Sequence, residues 1–121
     1  MVAWVLLGLE GMNAKVSRSV GYLYPMGTLA DILSVLRRER ARLFAKYGLK
    51  SMAVFGSATR DDFRPDSDVD IMVEFEPGAD FDYFDLLIDL QGIVQREVDL
   101  VMRTAVKPHY MEFIEKDLKY V

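Results

Sequence analysis

The stretch Asp68–Glu76, with the sequence DVDIMVEFE, decides the fold because its apolar and acidic side chains fall on alternate positions. Successive side chains of a strand point to opposite faces, so Val69, Ile71 and Val73 share one face. The acids occupy positions on the other face. The pattern therefore predicts a strand that packs one side against a core and presents carboxylates on the other.

The segments around this strand predict further helices and strands. From Thr28 a Thr-x-x-Asp capping pattern opens an apolar stripe of helical spacing, which ends at Gly48. Short apolar runs predict strands over residues 51–55 and 98–102, and helices begin near Asp80 and at the proline after the last strand. The order helix, strand, strand, helix, strand, helix predicts an α/β fold with helices covering one side of a small sheet.

A chain of 121 residues corresponds to one domain, and residues 28–121 carry the periodic segments. Residues 1–27 are rich in glycine and methionine and show no sustained period. We interpret them either as a loosely attached, disordered extension or as an over-long start assignment with Met26 as the true initiator. No chemistry is predicted there.

The composition excludes several classes of function. The chain lacks cysteine, which excludes disulfides, zinc–thiolate sites and cysteine nucleophiles, and its single histidine, His109, excludes a histidine-clustered metal site. Residues 61–99 contain thirteen carboxylates against two arginines, and such an acidic surface repels bare nucleic acid. The longest apolar run, Val2–Leu9, is shorter than the ~20 residues that span a bilayer. We expect a cytoplasmic protein that binds neither nucleic acid nor membranes.

The paired acids Asp68 and Asp70 are the centre of the functional argument. Two carboxylates on one face of a strand repel each other, and a divalent cation such as Mg²⁺ or Mn²⁺ supplies the missing counter-charge. Asp99, in another apolar strand, would complete a two-metal site. Gly56 and Ser57 follow an apolar strand, and a glycine there lets backbone amides approach a phosphate. Taken singly, these features also fit solvated edge acids and an ordinary turn.

Three segments together resemble a known superfamily. They are GSATR at residues 56–60, SDVDIMV at residues 67–73 and VDLV at residues 98–101. This pattern resembles the nucleotidyltransferase superfamily that includes DNA polymerase beta. It is most similar to the minimal nucleotidyltransferases, which pair with HEPN-domain proteins in prokaryotic toxin–antitoxin systems. The resemblance covers residues 28–121 and implies the polymerase beta-like fold, a small mixed sheet with helices packed on one side.

The resemblance implies a role for each matching acid. Asp68 and Asp70 would hold both of two Mg²⁺ ions, with Mn²⁺ as an alternative. Asp99 would hold one of these ions and help to activate the acceptor hydroxyl. All three are therefore expected to be catalytic and metal-binding residues.

The resemblance also implies a nucleotide-binding turn. Gly56 and Ser57 would bind the triphosphate of a nucleotide, and Arg60 would contact phosphate or neighbouring acids. The alternative for Arg60 is a surface ion pair with Asp61 or Asp66. Asp61 departs from the family pattern, where many relatives have glycine, and an acid pointing into the turn would weaken anion binding.

These roles imply an enzyme that transfers AMP from ATP to a hydroxyl of a cognate HEPN toxin and so acts as its antitoxin. The alternative is an antitoxin that neutralises the toxin by direct binding alone. A third reading, nucleotidylation of a small molecule, is disfavoured because the chain has no room for a second, acceptor-binding domain. The acceptor surface is expected to come from a partner or a second copy, in a hetero- or homo-oligomer.

Overall fold

The computed structural model describes residues 27–121, and nearly all of the predicted N-terminal extension lies outside this range. The first helix, α1, spans Leu29–Arg38 and begins as the sequence predicts. The hydroxyl of Thr28 accepts a hydrogen bond from the backbone amide of Asp31 at 3.1 Å. No helix in the described range is long and apolar enough to cross a membrane.

The single helix predicted before Gly48 is in fact two helices. A second helix, α2 (Arg40–Tyr47), follows a break at Glu39, where the backbone leaves the helical conformation. The break falls among the charged residues 37–42, which offer no large apolar side chain to hold a continuous stripe against the core. Gly48 ends α2 at a φ of +64°, a left-handed conformation that glycine adopts without strain.

Four strands form one mixed sheet in the spatial order β3-β2-β1-β4. They are β1 (Leu49–Phe55), β2 (Val69–Phe75), β3 (Val98–Met102) and β4 (Lys119–Tyr120). β2 runs parallel to β3 and antiparallel to β1, which is also antiparallel to β4. The small mixed sheet and its three longer strands are confirmed. β4 was not predicted, because two residues carry no periodicity.

Two further helices complete the described chain, α3 (Tyr83–Val94) and α4 (Pro108–Ile114). The cap of α3 is Asp82 rather than the predicted Asp80. Asp82 directly precedes the first helical residue, so its carboxylate accepts hydrogen bonds from the backbone amides of Phe84 and Asp85, at 3.0 and 3.2 Å. α4 starts at its proline as predicted, and none of its residues is buried.

The helices α1, α2 and α3 pack on one face of the sheet. The strand residues predicted to face the core, Val69, Ile71 and Val73, are fully buried. The helices contribute to the same cluster the residues Ile32, Leu36, Leu43, Tyr47, Leu86, Leu87, Leu90 and Val94. Alternation along the strands therefore places the acids of β2 and β3 on the opposite face, away from this core.

Candidate active site

Asp70 and Asp99 lie side by side on the two parallel strands. They are direct partners in the register of β2 and β3, and both belong to the face opposite the core. Neighbouring strands are about 4.8 Å apart, so two carboxylates in register stand close together. The ladder starts one residue earlier, where the Val69 amide donates to the carbonyl of Glu97 at 2.9 Å. Parallel pairing thus joins two acids that are distant in the sequence.

Burial and two neighbouring carboxylates act on the ionisation of Asp70. Burial, then the charge of Asp99 and then that of Asp68, raise the pKa of Asp70 to about 6, and the charge of Arg60 partly offsets this. Asp68 itself lies just before β2, at the end of the preceding loop. Burial and the charges of both other predicted acids therefore act together on the carboxyl group of Asp70.

The donor set fits a hard divalent cation, but no closed cage is already formed. Within residues 27–121, no three or more histidine, aspartate or glutamate side chains converge closely enough to hold a metal ion unaided. Mg²⁺ seldom requires such a cage, because it usually keeps several waters and binds one or two carboxylates together with substrate phosphates. Asp70 and Asp99 would supply carboxylate oxygens of this kind. The charge of Asp68 acts on Asp70 from the preceding loop.

A glycine turn lies directly against Asp70. The turn is a single 3-10 helix, Gly56–Thr59, which begins where β1 ends. Gly56 has a φ of +71°, and a Cβ atom at this position would lie 2.0 Å from the Asp70 Oδ2 atom. The hydroxyl of Thr59 donates to the Gly56 carbonyl at 2.7 Å and closes the turn. The predicted phosphate-binding residues Gly56 and Ser57 are thus brought beside the predicted metal-binding acids.

Arg60 is engaged by two acids, but not by those considered from the sequence. Its Nε atom lies 3.3 Å from Asp62 Oδ1, and its Nη1 atom lies 3.0 Å from Asp117 Oδ2. The expected ion pairs with Asp61 or Asp66 are therefore replaced by pairs with Asp62 and Asp117. Asp61 is exposed. No local pattern could have identified Asp117, which lies 57 residues along the chain.

Sequence reasoning missed Tyr83, which borders the site from the start of α3. Its hydroxyl donates to the carbonyl of Leu100 at 2.6 Å. Burial and the charge of the adjacent Asp99 raise the pKa of Tyr83. Tyr83 directly follows the cap residue Asp82 and belongs to no motif, so only the packing of α3 on β3 reveals it.

Residues 33–121 match the family described as the nucleotidyltransferase domain, and the chain belongs to that family.

Two sequence relatives extend over nearly the same region. MJ0128 of Methanocaldococcus jannaschii, provisionally named a protein adenylyltransferase, is 43% identical over an alignment of 101 residues, and the match covers 79% of this chain and all of the relative. The protein adenylyltransferase MntA of Thermococcus cleftensis is 33% identical over 97 residues, which are 79% of this chain and 98% of MntA.

Two solved structures share the architecture. One, described provisionally as a minimal nucleotidyltransferase, is 30% identical with a TM-score of 0.57, and the match covers 73% of this chain and 93% of the other. Another is a tri-AMPylated Shewanella oneidensis HEPN toxin in complex with its MNT antitoxin. It matches at 18% identity and a TM-score of 0.50, over 72% of this chain and 69% of the other. At that identity the likeness concerns the fold alone.

Proposed function

We propose that this protein transfers AMP from ATP to a hydroxyl group of a HEPN-domain toxin and thereby acts as its antitoxin. The observation that carries the proposal is the register of Asp70 with Asp99 beside the Gly56 turn. Relatives named protein adenylyltransferase support AMP as the transferred group. The complex of an MNT antitoxin with an AMPylated HEPN toxin supports the class of acceptor.

The acids have distinct tasks in this reaction. Asp68 and Asp70 would hold two Mg²⁺ ions, or Mn²⁺ in their place, and Asp99 would hold one of these ions. When bound, these ions neutralise triphosphate charge and favour in-line displacement. Asp99 lies beside Asp70 and takes the proton from the acceptor hydroxyl.

The remaining groups position the nucleotide. The amides of the Gly56–Thr59 turn and the Ser57 hydroxyl bind the triphosphate, and Arg60 adds positive charge at its edge. The acceptor oxygen forms a bond to the α-phosphorus while the bond from that phosphorus to the bridging oxygen breaks. Pyrophosphate then leaves with the electron pair of the broken bond.

A second candidate is neutralisation by direct binding without catalysis. The pairing of Arg60 with Asp62 and Asp117 favours it, because a guanidinium already bound to two carboxylates is less available to a phosphate. The exposed Asp61 beside the turn acts in the same direction.

One experiment separates the two candidates. The protein is incubated with a candidate HEPN-domain toxin, labelled ATP and Mg²⁺, and the toxin is examined by intact mass measurement. We expect addition of one or more AMP groups by the wild type and none by Asp70→Ala. Asp80→Ala is the matched control, because Asp80 is an exposed acid outside the site.

The same variants are then tested for rescue of growth in cells that express the toxin. Rescue that needs Asp70 supports transfer. Full rescue by Asp70→Ala, with no mass added even by the wild type, would overturn the transferase and leave the binding antitoxin.

A further inference from the structure

The loop that leads from the glycine turn to Asp68 is closed by a small turn of its own. The backbone amide of Arg64 donates to the Ser67 hydroxyl at 3.0 Å, and the Ser67 amide donates to the Arg64 carbonyl at 3.0 Å. Asp68 comes next in the chain and precedes β2. Asp68 therefore lies between this Arg64–Ser67 turn and the first ladder hydrogen bond of β2, and the turn constrains it on the loop side.

A buried arginine, Arg96, contacts the same turn through a hydrogen bond and an aromatic ring. Arg96, in the short connection between α3 and β3, is only 8% exposed. Its Nη2 atom donates to the carbonyl of Arg64, the same oxygen that closes the turn. Its guanidinium carbon lies 4.2 Å from the centre of the Phe63 ring, in a cation–π contact. One side chain thus binds both the ring and the backbone of the loop.

The burial of Arg96 has an energetic cost that calls for a reason. Burial lowers the pKa of Arg96, and the carboxylates of Asp66 and Asp68 act against that effect. A buried cation generally stabilises a fold no better than an apolar side chain of similar volume. The planar guanidinium of an arginine, however, fixes the orientation of the groups that it hydrogen-bonds more strictly than an apolar contact does.

The neighbouring residue connects Arg96 to the other acids. The carbonyl of Glu97 accepts the Val69 amide at 2.9 Å, and Asp70 and Asp99 are the next partners in this ladder. The chain that carries Arg96 is therefore anchored at the start of both acidic strands.

We infer that Arg96 is a positioning residue for nucleotidyl transfer, which fixes the 60–68 loop and so aligns Asp68 with Asp70 and Asp99. The inference rests on the proposed function for its consequence in catalysis. Arg96 acts through the loop and does not itself touch the nucleotide.

The test compares Arg96→Met and Arg96→Lys with the matched control Arg42→Met. Arg42 also makes a close ion pair, to Asp89 at 2.8 Å, but this pair joins α2 to α3 on the face of the sheet opposite Asp70 and Asp99. All variants are assayed with the HEPN protein, ATP and Mg²⁺ at a temperature where each is folded. Hydrogen exchange of residues 61–68 is measured on the same samples.

We expect Arg96→Met to speed exchange of residues 61–68 about tenfold and to lower kcat about tenfold or more, since small misplacements of reacting groups cost up to ~10²-fold. Arg96→Lys keeps a donor but loses the planar stack on Phe63, and its kcat should lie between those of Arg96→Met and the wild type. Arg42→Met should change neither loop exchange nor kcat. If Arg96→Met does not fold, Phe63→Leu tests the same contact and should shift both readouts in the same direction.

Two outcomes would overturn the inference: unchanged exchange in the loop, or faster exchange with an unchanged kcat. Equal kcat losses in Arg96→Met and Arg42→Met would assign Arg96 a general structural role and overturn it as well. If the wild type transfers nothing, the proposed function fails, whereas the exchange data still decide whether Arg96 holds the loop.

Discussion

At the scale of single residues, the site depends on a close approach between a backbone and a carboxylate. Gly56 combines a left-handed φ of +71° with a position where any Cβ atom would collide with Asp70. Burial, followed by the charges of Asp99 and Asp68, raises the pKa of the same Asp70 to about 6. Both properties can be tested separately with single substitutions.

Gly56→Ala should abolish AMP transfer because its methyl group displaces the Asp70 carboxylate. Gly78→Ala is the matched control, since Gly78 has a similar φ of +77° and nothing within 4 Å of an added Cβ. Both variants carry backbone strain of about 1–3 kcal/mol, measured by thermal unfolding. Only Gly56→Ala should lose activity, and equal activity in the two variants would contradict the role of the close approach.

Asp70→Asn should stabilise the metal-free protein at pH 8. The folded-state pKa of Asp70, about 6, lies above the ordinary value of 3.8, so the folded protein binds this proton more tightly than the unfolded chain. This tighter proton binding stabilises the folded protein fully below about pH 3.8, and the stabilisation is lost as the pH rises through about 6.

The measurement is the Tm of Asp70→Asn minus that of the wild type, in a chelator, from pH 4 to pH 8. This difference should rise with pH, and Mg²⁺ should reduce it at pH 8 by stabilising the wild type. Asp80→Asn should show no such trend. If the Tm difference between Asp70→Asn and the wild type does not change with pH, the folded protein does not disfavour the ionised form of Asp70.

At the scale of secondary-structure elements, the helices that cover one face of the sheet are joined by an ion pair and hydrogen bonds as well as by apolar packing. Arg42 of α2 binds Asp89 of α3 through two hydrogen bonds of 2.9 and 2.8 Å, and the Tyr47 hydroxyl donates to the same carboxylate at 2.8 Å. The hydrogen bond from Arg42 is the main cause that lowers the pKa of Asp89. This network fixes the two helices over the core while β2 and β3 carry the site on the other face.

Asp89→Asn should lower the stability by about 1 kcal/mol, a modest value because Arg42 is nearly half exposed. The folded-state pKa of Asp89 is lowered, so its contribution is present above the unfolded pKa and is lost as the pH falls through the folded one. The Tm difference from the wild type should therefore shrink in acid. AMP transfer should stay unchanged, and a loss of kcat would link this network to the site.

At the scale of the whole molecule, the described core is made by residues between Ile32 and Leu100, with Val121 packed against it. The three helices on one face of the sheet and the strands themselves all contribute to this cluster. The site lies at one end of the sheet, where β1 ends and where β2 and β3 begin, and the core supports it from behind.

A chain that begins at Met26 should fold and retain AMP transfer, because the helix that follows has its own cap at Thr28. Its Tm should lie within about 5 °C of the full-length value, a shift that corresponds to roughly 1 kcal/mol in a domain of this size. A larger decrease would show that the first 25 residues stabilise the domain.

The sequence alone determined most of the elements and the faces they present, although it merged α1 with α2 and missed β4. Alternation in Asp68–Glu76 was enough to separate a core face from an acidic face, and the Thr28 cap and Gly48 marked helix ends correctly. The three motif segments identified the family and chose the same acids that the structure brings together. These features are local, because side-chain periodicity and capping depend on a few neighbouring residues.

Only the tertiary structure decided which residues meet. Parallel pairing placed Asp70 beside Asp99, and antiparallel pairing of β1 with β2 placed Gly56 against Asp70. The ion pair of Arg60 with Asp117 and the hydrogen bond from Arg96 to the Arg64 carbonyl also join distant segments of the chain. Strand register and ion pairing depend on how separate segments pack in space, and no periodicity within one segment encodes that.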